Sequence, residues 1–441
     1  MSTAFGQGGL HDATLERARA GDELAFARAI DPYRSELLAH CYRMLGSLHD
    51  AEDAMQDTLL RSWRGLVKFE GRSSLRSWLY TIATNACLDQ IARRPKRVLP
   101  IDYGPPTDPH VGPGEPVVES VWMEPYPDEI LAVGDGRAAP DAQYELRESV
   151  ELAFVAALQH LPASQRAVLI LRLVLGFSAK EVAAALGTTV AAVNSALQRA
   201  RAAIDERVPE QSQQETLRAL GEDSVRETVE RYIDAWERCD IDAFAAMLAE
   251  DAVFAMPPLA SWYRGRAAIV QWAAGWPLSG AWKWRALPTS ANGQPALGFY
   301  AWSAEDGGYR PFALNVLSLR GAQISDVTAF IARSAEPRPS LRVTRSVGFT
   351  SGRPSIQRQS DWSAADARVA GRGSCQGSIS GGTGTSCWSW RAECGMCGPS
   401  AGRARCSGNA PVSIFLSFTG KPRTARSRES RMLLPSNCGW K

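Results

Sequence analysis

The sequence predicts a multidomain protein with two all-α domains, then an α+β domain, then a disordered tail. From Phe26 to Arg97, and again from 142 to 207, apolar residues recur at three- and four-residue spacing without strand-like alternation. From Ser224 to Phe330, helical periodicity gives way to alternating aromatic runs such as ALGFYAW and PFALNVLSL. After residue 335 neither period is sustained, which is typical of a chain that cannot bury a core.

The first helical domain is predicted at 12–97, with helices broken near Gly46 and Gly71. Its central helix reads HDAEDAMQDTLLRSW. One face of this helix is an acidic stripe, and another supplies apolar residues for the core. The stripe holds Asp50, Asp53 and Asp57, and the core candidates are Leu59, Leu60 and Trp63. Such a stripe can bind a basic partner helix, or it is a solvated face with acids near a helix N-terminus.

The end of this domain, Phe69 to Arg97, has a composition typical of nucleic-acid binding. Trp78 and Tyr80 offer stacking faces, and Asn85 offers an amide able to pair with adenine. Arg93, Arg94, Lys96 and Arg97 supply charge for phosphates. The alternative is that Trp78 and Leu79 belong to the core, as large apolar side chains often do.

The stretch from Ser178 to Arg201 predicts a helix-turn-helix in the second helical domain, 142–207. Val182, Ala183 and Leu186 share one helical face, and Gly187 suits the turn. Thr188 or Thr189 can cap a second helix that begins near Val190. The exposed positions of that helix combine amides and guanidiniums, a mixture suited to bases and phosphates: Asn194, Ser195, Gln198, Arg199 and Arg201. The alternative is an ordinary helical hairpin.

The two helical blocks, in this order, resemble domains two and four of bacterial sigma factors, specifically the extracytoplasmic-function group. DAEDAMQDTLLRSW resembles that family's main polymerase-binding helix, and FEGRSSLRSWLYTIATNACLD resembles its minus-ten promoter-reading segment. LQHLPASQRAVLILRLVLGFSAKEVAAALGTTVAAVNSALQRARA resembles the domain that reads the minus-thirty-five element. The resemblance implies a protein that binds core RNA polymerase, directs it to promoters and helps melt the minus-ten element, with no cofactor and no covalent chemistry.

Carried over by position, the resemblance implies three sets of binding residues. Docking on the β′ clamp helices of the polymerase is assigned to Asp53, Gln56, Asp57 and Arg61. Capture of a flipped non-template base and contact with the minus-ten element are assigned to Phe69, Arg72, Ser73, Ser74, Trp78 and Asn85. Contact with the minus-thirty-five element is assigned to Thr188, Thr189, Asn194, Ser195, Gln198, Arg199 and Arg201. The expected partners are promoter DNA and the β and β′ subunits of core polymerase. Asn194 and Ala196 stand where members of the group often carry basic residues, so weaker phosphate contact is expected there.

A linker rich in Pro and acidic residues, 98–141, joins the two helical domains and cannot pack a core of its own. In sigma factors this linker threads the nucleic-acid channels of the polymerase, where carboxylates would mimic phosphate. The alternative is a plain solvated tether.

The α+β domain, 222–333, is predicted to contain two helices and four strands. The helices are Ser224–Arg238 and Ile241–Leu248, and the strands are Val253–Met256, Ala296–Trp302, Phe312–Leu319 and Ile324–Thr328. With EDAVFAMPPLASWYRGRAAIVQWAAGW, the domain resembles SnoaL-like domains of the nuclear-transport-factor superfamily, cone-shaped sheets curled around a pocket. The resemblance implies a regulator of the sigma core.

Six aromatic side chains of the α+β domain are candidates to line an apolar cavity: Trp262, Tyr263, Trp272, Trp276, Trp302 and Tyr309. No histidine lies between Glu210 and Arg333 to act as a base near neutral pH. Sensing of a small-molecule ligand, or contact with the sigma core, is therefore favoured over catalysis. Two rival functions stay open: a SnoaL-like enzyme tethered by the N-terminal half, and a DNA-binding repressor that acts without polymerase.

The tail from 335 to 441 carries 16 of the 49 Lys and Arg residues, 5 of the 47 Asp and Glu residues, and six of the nine cysteines. Our leading hypothesis is a translated reading-frame shift, since Arg, Ser, Gly, Cys and Trp increase abruptly. The alternative is a metal site formed by Cys394 and Cys397 with Cys387 and Cys406. One C-x-x-C pair is a weak signal, so no metal ligand is assigned. The chain shows no signal peptide and no span of 18 apolar residues, which predicts a cytoplasmic protein without membrane contact.

Overall fold

The computed structural model describes residues 13–117, 121–132 and 147–332. The predictions for 335–441, both the frame shift and the cysteine site, lie outside the described residues. Among the described residues, no helix is both long enough and apolar enough to cross a membrane.

The first helical domain is a bundle that begins with a helical segment at 13–19 (α1). Four further helices follow: α2 Glu23–Ile30, α3 Arg34–Leu45, α4 Leu48–Gly65 and α5 Leu75–Ile91. The break after α3 is made by Gly46 at φ +70°, and the Ser47 hydroxyl then accepts the Asp50 amide at 3.1 Å. The loop around Gly71, at φ +73°, separates α4 from α5. Both predicted breaks are confirmed.

The described part of the linker contains two short helices, α6 Pro100–Tyr103 and α7 Asp128–Ala132. The second helical domain follows with α8 Leu152–Gln159, α9 Ala163–Leu169, α10 Ala179–Ala185 and α11 Val190–Asp205. A π-helical stretch, Ile170–Val174, continues α9. Gly187 turns the chain at φ +61°, and the Thr189 hydroxyl accepts the Ala192 amide at 3.1 Å. The predicted helix start at Val190 is confirmed.

The two helical domains share one hydrophobic core. Leu37, Met44 and Leu79 from the first domain belong to the same buried cluster as Val155 and Ile170 from the second. Because each domain buries part of its apolar surface against the other, their packing is stabilised by the hydrophobic effect.

The α+β domain has four helices and one six-stranded sheet. The helices are α12 Gln213–Leu220, α13 Glu222–Glu237, α14 Ile241–Met247 and α15 Arg266–Gly275. The strands are β1 Leu248–Ala255, β2 Trp262–Arg264, β3 Trp284–Ala291, β4 Gln294–Ser303, β5 Gly308–Arg320 and β6 Gln323–Ile331. The sheet order is β2-β1-β6-β5-β4-β3, and the β1–β6 pair is parallel while the other pairs are antiparallel.

All four predicted strands are present, as β1, β4, β5 and β6, but β2 and β3 were not predicted. Both missed strands are sheet edges. β3 contains Pro288, which lacks an amide hydrogen and is tolerated in a strand at an edge. β2 has only three residues, too few to show a period, and in β3 neither face is fully buried.

Candidate polymerase and nucleic-acid interface

The proposed polymerase-docking residues lie together on the solvent side of α4. Gln56 is exposed, and Asp53, Asp57 and Arg61 are partly exposed. Arg61 lies between two carboxylates, 2.7 Å from Asp57 and 2.8 Å from Asp89 on α5. This face is therefore polar, mixed in charge and prepositioned by ion pairs.

Leu60 was predicted to be a core residue, and that prediction is wrong: its side chain is 55% exposed. It follows Gln56 by four residues and Asp57 by three, so it lies on the face of α4 that carries them. The docking face thus has an apolar residue among polar ones, an arrangement common at the centre of protein interfaces. A helical period predicts which residues share a face but not which face is covered.

Asp50 was predicted on the exposed acidic stripe, and that prediction is also wrong. It is 2% exposed and pairs with Arg97, itself 7% exposed, and with Arg94. Burial lowers the pKa of Arg97. Lys96 contacts the His160 ring at 2.9 Å. The basic run at 93–97 therefore binds protein groups in large part, and its expected availability to phosphates is reduced.

The proposed base-capture loop has a buried base and an exposed tip. Phe69 is 9% exposed and its ring centroid lies 4.9 Å from that of Trp78, so the pair packs together. Residues 70–74 are exposed, and the Ser74 hydroxyl caps α5 by accepting the Ser77 amide at 3.1 Å. Phe69 and Trp78 support the loop, and Arg72, Ser73 and Ser74 form its accessible part.

Asn85 is exposed on α5. It lies ten residues after the start of that helix at Leu75, which is about 15 Å along the helix axis at about 1.5 Å per residue. Tyr80 was predicted to offer a stacking face, and that prediction is wrong. It is 1% exposed, and its hydroxyl contacts the Glu36 carboxylate at 3.1 Å. Burial raises the pKa of Tyr80 well above its ordinary value.

The helix-turn-helix presents the predicted DNA-reading residues to solvent. Every one of the predicted set is exposed: Thr188, Thr189, Asn194, Ser195, Gln198, Arg199 and Arg201. Val193, Leu197 and Ala200 are buried on the opposite face of α11. The two faces follow from the period of 3.6 residues, because the apolar stripe fixes which side of α11 remains free.

The two helical domains are held together by buried guanidiniums that bond to uncharged oxygen atoms. Arg43 is fully buried, and its Nε donates to the Ser149 carbonyl at 3.0 Å. Arg166 donates to the Met44 carbonyl and, at 3.1 Å, to the Gln159 carbonyl. Burial lowers the pKa of Arg166 to about 10. Such contacts define one specific relative placement of the two domains, since a misplaced guanidinium would be left unpaired.

A hairpin of the α+β domain reaches both helical domains at once. Asn292, at the β3–β4 turn, is fully buried with φ +56°. Its amide nitrogen donates to the Tyr42 hydroxyl and to the Val150 carbonyl, each at 2.8 Å. Its side-chain oxygen accepts the Tyr126 amide at 2.9 Å. We call this contact of Tyr42, Tyr126, Val150, Asn292 and the adjoining Gly293 the joint.

Two carboxylates, the half-buried Asp128 and the buried Glu151, reinforce the joint. Asp128 of the linker accepts the Gly293 amide at 2.7 Å, and burial raises its pKa to about 6. Glu151, just before α8, accepts the amides of Gln213 and Gln214 at 3.0 and 2.8 Å and so caps α12. Burial raises the pKa of Glu151 to about 7. Within the described part of the chain, neither carboxylate has an ion-pair partner.

Within the described residues the linker is bonded to its neighbours and is not a free tether, although most of its side chains from 102 to 117 are exposed to solvent. Trp122 and Tyr126 are 3% and 0% exposed. The Thr107 amide donates to the Trp262 carbonyl at 2.7 Å, and the Val117 amide to the Pro258 carbonyl at 3.0 Å. The linker cannot form its own core, as predicted, but it completes the cores of other domains.

The cone of the α+β domain is filled largely by its own aromatic side chains. Trp272 and Trp276 line its interior, and Tyr263 stacks on Trp272 at 4.9 Å. The residual cavity is about 20 Å³, enough for about one water molecule. Trp302 is instead 42% exposed and contacts Tyr309, so the prediction that these two line the cavity is wrong. Trp262, also predicted there, bonds to the linker through its indole nitrogen, 2.8 Å from the Gly104 carbonyl.

Comparison with known families agrees with this architecture. Residues 29–97 match Sigma-70 region 2, residues 151–204 match Sigma-70, region 4, and residues 229–344 match the SnoaL-like domain. The fold and these matches define the class: a sigma-70-type protein with a C-terminal SnoaL-like domain.

The chain is 44% identical over 321 residues to the ECF RNA polymerase sigma factor SigG of Mycobacterium tuberculosis, across 73% of this chain and 84% of that relative. It belongs to the extracytoplasmic-function sigma factors, which act in transcription initiation. It is also 30% identical over 203 residues to the sigma factor SigM of the same species, across 45% of this chain and 87% of SigM. The chain is also similar to the crystal structure of the M. tuberculosis extracytoplasmic-function sigma factor SigJ. The similarity covers 69% of this chain and 96% of the SigJ chain, at 20% sequence identity and a TM-score of 0.44.

Proposed function

We propose that this sigma factor binds core polymerase through the solvent face of α4 and reads its promoter with the 70–74 loop, Asn85 and α11. We further propose that its SnoaL-like domain, through the joint, holds the two promoter-binding domains in a compact resting arrangement. Binding to a promoter then requires the joint to open.

The polymerase-docking proposal is supported by the composition of the α4 face. Gln56, Asp57, Leu60 and Arg61 fall within two helical turns, and each is at least partly exposed. An apolar residue enclosed by hydrogen-bonding groups is the pattern of an energetically important interface residue.

The case for a resting arrangement rests on promoter length. The minus-ten and minus-thirty-five elements are about 25 base pairs apart, which is about 85 Å at about 3.4 Å per base pair. In the compact arrangement, Tyr80 of the first helical domain lies 5.4 Å from Phe177 of the second, ring centroid to centroid. The α11 helix spans only about 24 Å by its 16 residues. Domains packed this closely cannot contact both elements of linear DNA, so they must separate.

The observation that carries regulation by the SnoaL-like domain is the placement of Asn292. One side chain of this domain bonds to the first helical domain at Tyr42, to the linker at Tyr126 and to the start of the second helical domain at Val150. Loss of the joint would remove one contact from each of the three segments at once, leaving the shared core and the Arg43 and Arg166 contacts to hold the helical domains. A domain that makes these contacts can therefore stabilise the compact state, and any process that disrupts them favours the open state.

The test is transcription in vitro with core polymerase and a promoter library, using the full chain and Asn292→Ala. Glu305→Ala, at the exposed β4–β5 turn of the same domain, is the control. We expect protein-dependent transcripts from all three proteins and higher output from Asn292→Ala at limiting polymerase.

Failure of all three proteins to bind core polymerase would contradict the docking proposal. Equal output from Asn292→Ala and wild type, with the joint shown to be open by hydrogen exchange, would contradict regulation alone and leave the promoter-binding proposals standing.

A further inference from the structure

The 70–74 loop is held at its base by a residue from another helix. Arg19, at the end of α1, donates from its terminal nitrogen to the Phe69 carbonyl at 2.6 Å. The same guanidinium lies 5.7 Å from the centroid of the Phe69 ring. Phe69 is thus fixed by Arg19 and also contacts Trp78 at 4.9 Å.

The guanidinium of Arg19 is committed to these protein contacts. Its other terminal nitrogen donates to Glu16 at 2.6 Å, and its side chain is 27% exposed. The bond to the Phe69 carbonyl is charge-assisted and so stronger than a neutral one. It restrains the backbone at the point where the chain enters the exposed loop, whereas Ser74 restrains the point where it leaves.

We propose that Arg19 is a positioning residue for promoter melting, which presets the 70–74 loop in the conformation that receives the flipped base. This inference depends on the proposed base-capture role of the loop. A preset pocket does not have to be ordered at the moment of capture, so the conformational entropy of the loop is not lost in that step. Arg19 acts through Phe69 and the loop, without needing to touch DNA itself.

The test uses the full-length protein with core polymerase and measures the rate of minus-ten melting separately from the affinity of the closed complex. The variants are Arg19→Ala, Arg19→Lys and, as the matched control, Arg17→Ala. Arg17 lies on the same helix and pairs with Asp22 at 2.5 Å. We expect Arg19→Ala to slow melting about tenfold, the effect of losing one charge-assisted hydrogen bond, with closed-complex affinity unchanged. Arg19→Lys keeps the charge and should recover part of the rate, and Arg17→Ala should match wild type.

A second arm replaces successive non-template bases of the minus-ten element with abasic sites. We expect the wild-type melting rate to fall at one position, where the captured base is missing. At that position, the abasic site should cause no further decrease in the already slower melting rate of Arg19→Ala. Independent, multiplicative losses would overturn the role of Arg19 while leaving base capture intact. A wild-type protein insensitive to every abasic site would overturn base capture, and the inference about Arg19 with it. If Arg19→Ala has a lowered thermal midpoint, the same comparison is made with Arg19→Lys. The melting rate of Arg19→Lys must then lie between those of wild type and Arg19→Ala.

Discussion

Substitution of Asn292 by Ala should open the joint without unfolding the domains that meet there. The substitution removes three side-chain hydrogen bonds and leaves the Tyr126 amide, the Val150 carbonyl and the Tyr42 hydroxyl without that partner. Each buried polar group left unpaired costs about 1–3 kcal/mol. Ala at the positive φ of 56° adds about 1 kcal/mol of backbone strain. Allowing for water entering the site, we expect the joint to lose about 3–5 kcal/mol.

Native-state hydrogen exchange measures this loss directly. The Tyr126 amide, which donates to the Asn292 side chain, should exchange about 10²–10³ times faster in Asn292→Ala. The nearby linker amides of Met123 and Glu124, which bond to Val98 and Gly46, should also exchange faster, by a smaller factor. Amides in the middle of α5 should be unaffected. Asn292→Gly separates the two causes, because it loses the same hydrogen bonds but adopts a positive φ without strain. Acceleration below fivefold in the linker, or equal acceleration in α5, would refute the reasoning.

Three further predictions concern the joint and the polymerase face. Burial raises the pKa of Asp128 to about 6 from 3.8, so its contribution to joint stability is complete below pH 3.8 and is lost as pH rises through 6. The urea midpoint for opening the joint should therefore be lower at pH 7 than at pH 5. Asp128→Asn should remove the part of that difference due to Asp128 and leave the part due to Glu151, whose pKa is raised to about 7; an unchanged difference would contradict the assignment. Gly293→Ala should lower the free energy of opening the joint by about 2 kcal/mol, because the new Cβ would lie 3.0 Å from the Arg147 carbonyl at φ +69°. Gly307→Ala should cost only about 1 kcal/mol, since among the described residues nothing lies within 4 Å of its Cβ, and equal losses would refute the crowding argument. Leu60→Ala should weaken binding to core polymerase about tenfold in a titration, with the thermal midpoint unchanged. The same change at Leu24, which is 69% exposed against 55% for Leu60, should be tolerated; equal affinities of the two variants would remove Leu60 from the interface.

The helix-turn-helix and the start of its second helix could be predicted from the sequence, because the interactions that fix them are local, whereas α12 and α15 were not predicted. Gly187 allows the left-handed turn. Thr189 caps the next helix because its hydroxyl accepts the amide of Ala192, only three residues later. The apolar period of α11 then decides which residues remain exposed. The predicted minus-thirty-five residues are all exposed for this reason, although their contact with DNA stays a prediction.

The orientation of α4 could not be predicted in the same way. Asp50 and Leu60 lie on predictable stripes, yet the structure buries the acid and exposes the leucine. The acid is buried because Arg97, 47 residues later, supplies its ion pair. A pattern within one helix contains no information about a partner that arrives from another segment.

The sequence by itself determined the order of the domains, their helices and turns, and the family to which the chain belongs. The tertiary structure alone decided that linker residues 121–127 are largely buried, that the cone is filled and that the three parts meet at one asparagine. Tyr42 and Asn292 are 250 positions apart in the chain, and a hydrogen bond between them leaves no local periodicity. Buried polar contacts of this kind depend on complementary groups from separate segments, so they can be recognised only once the segments are packed.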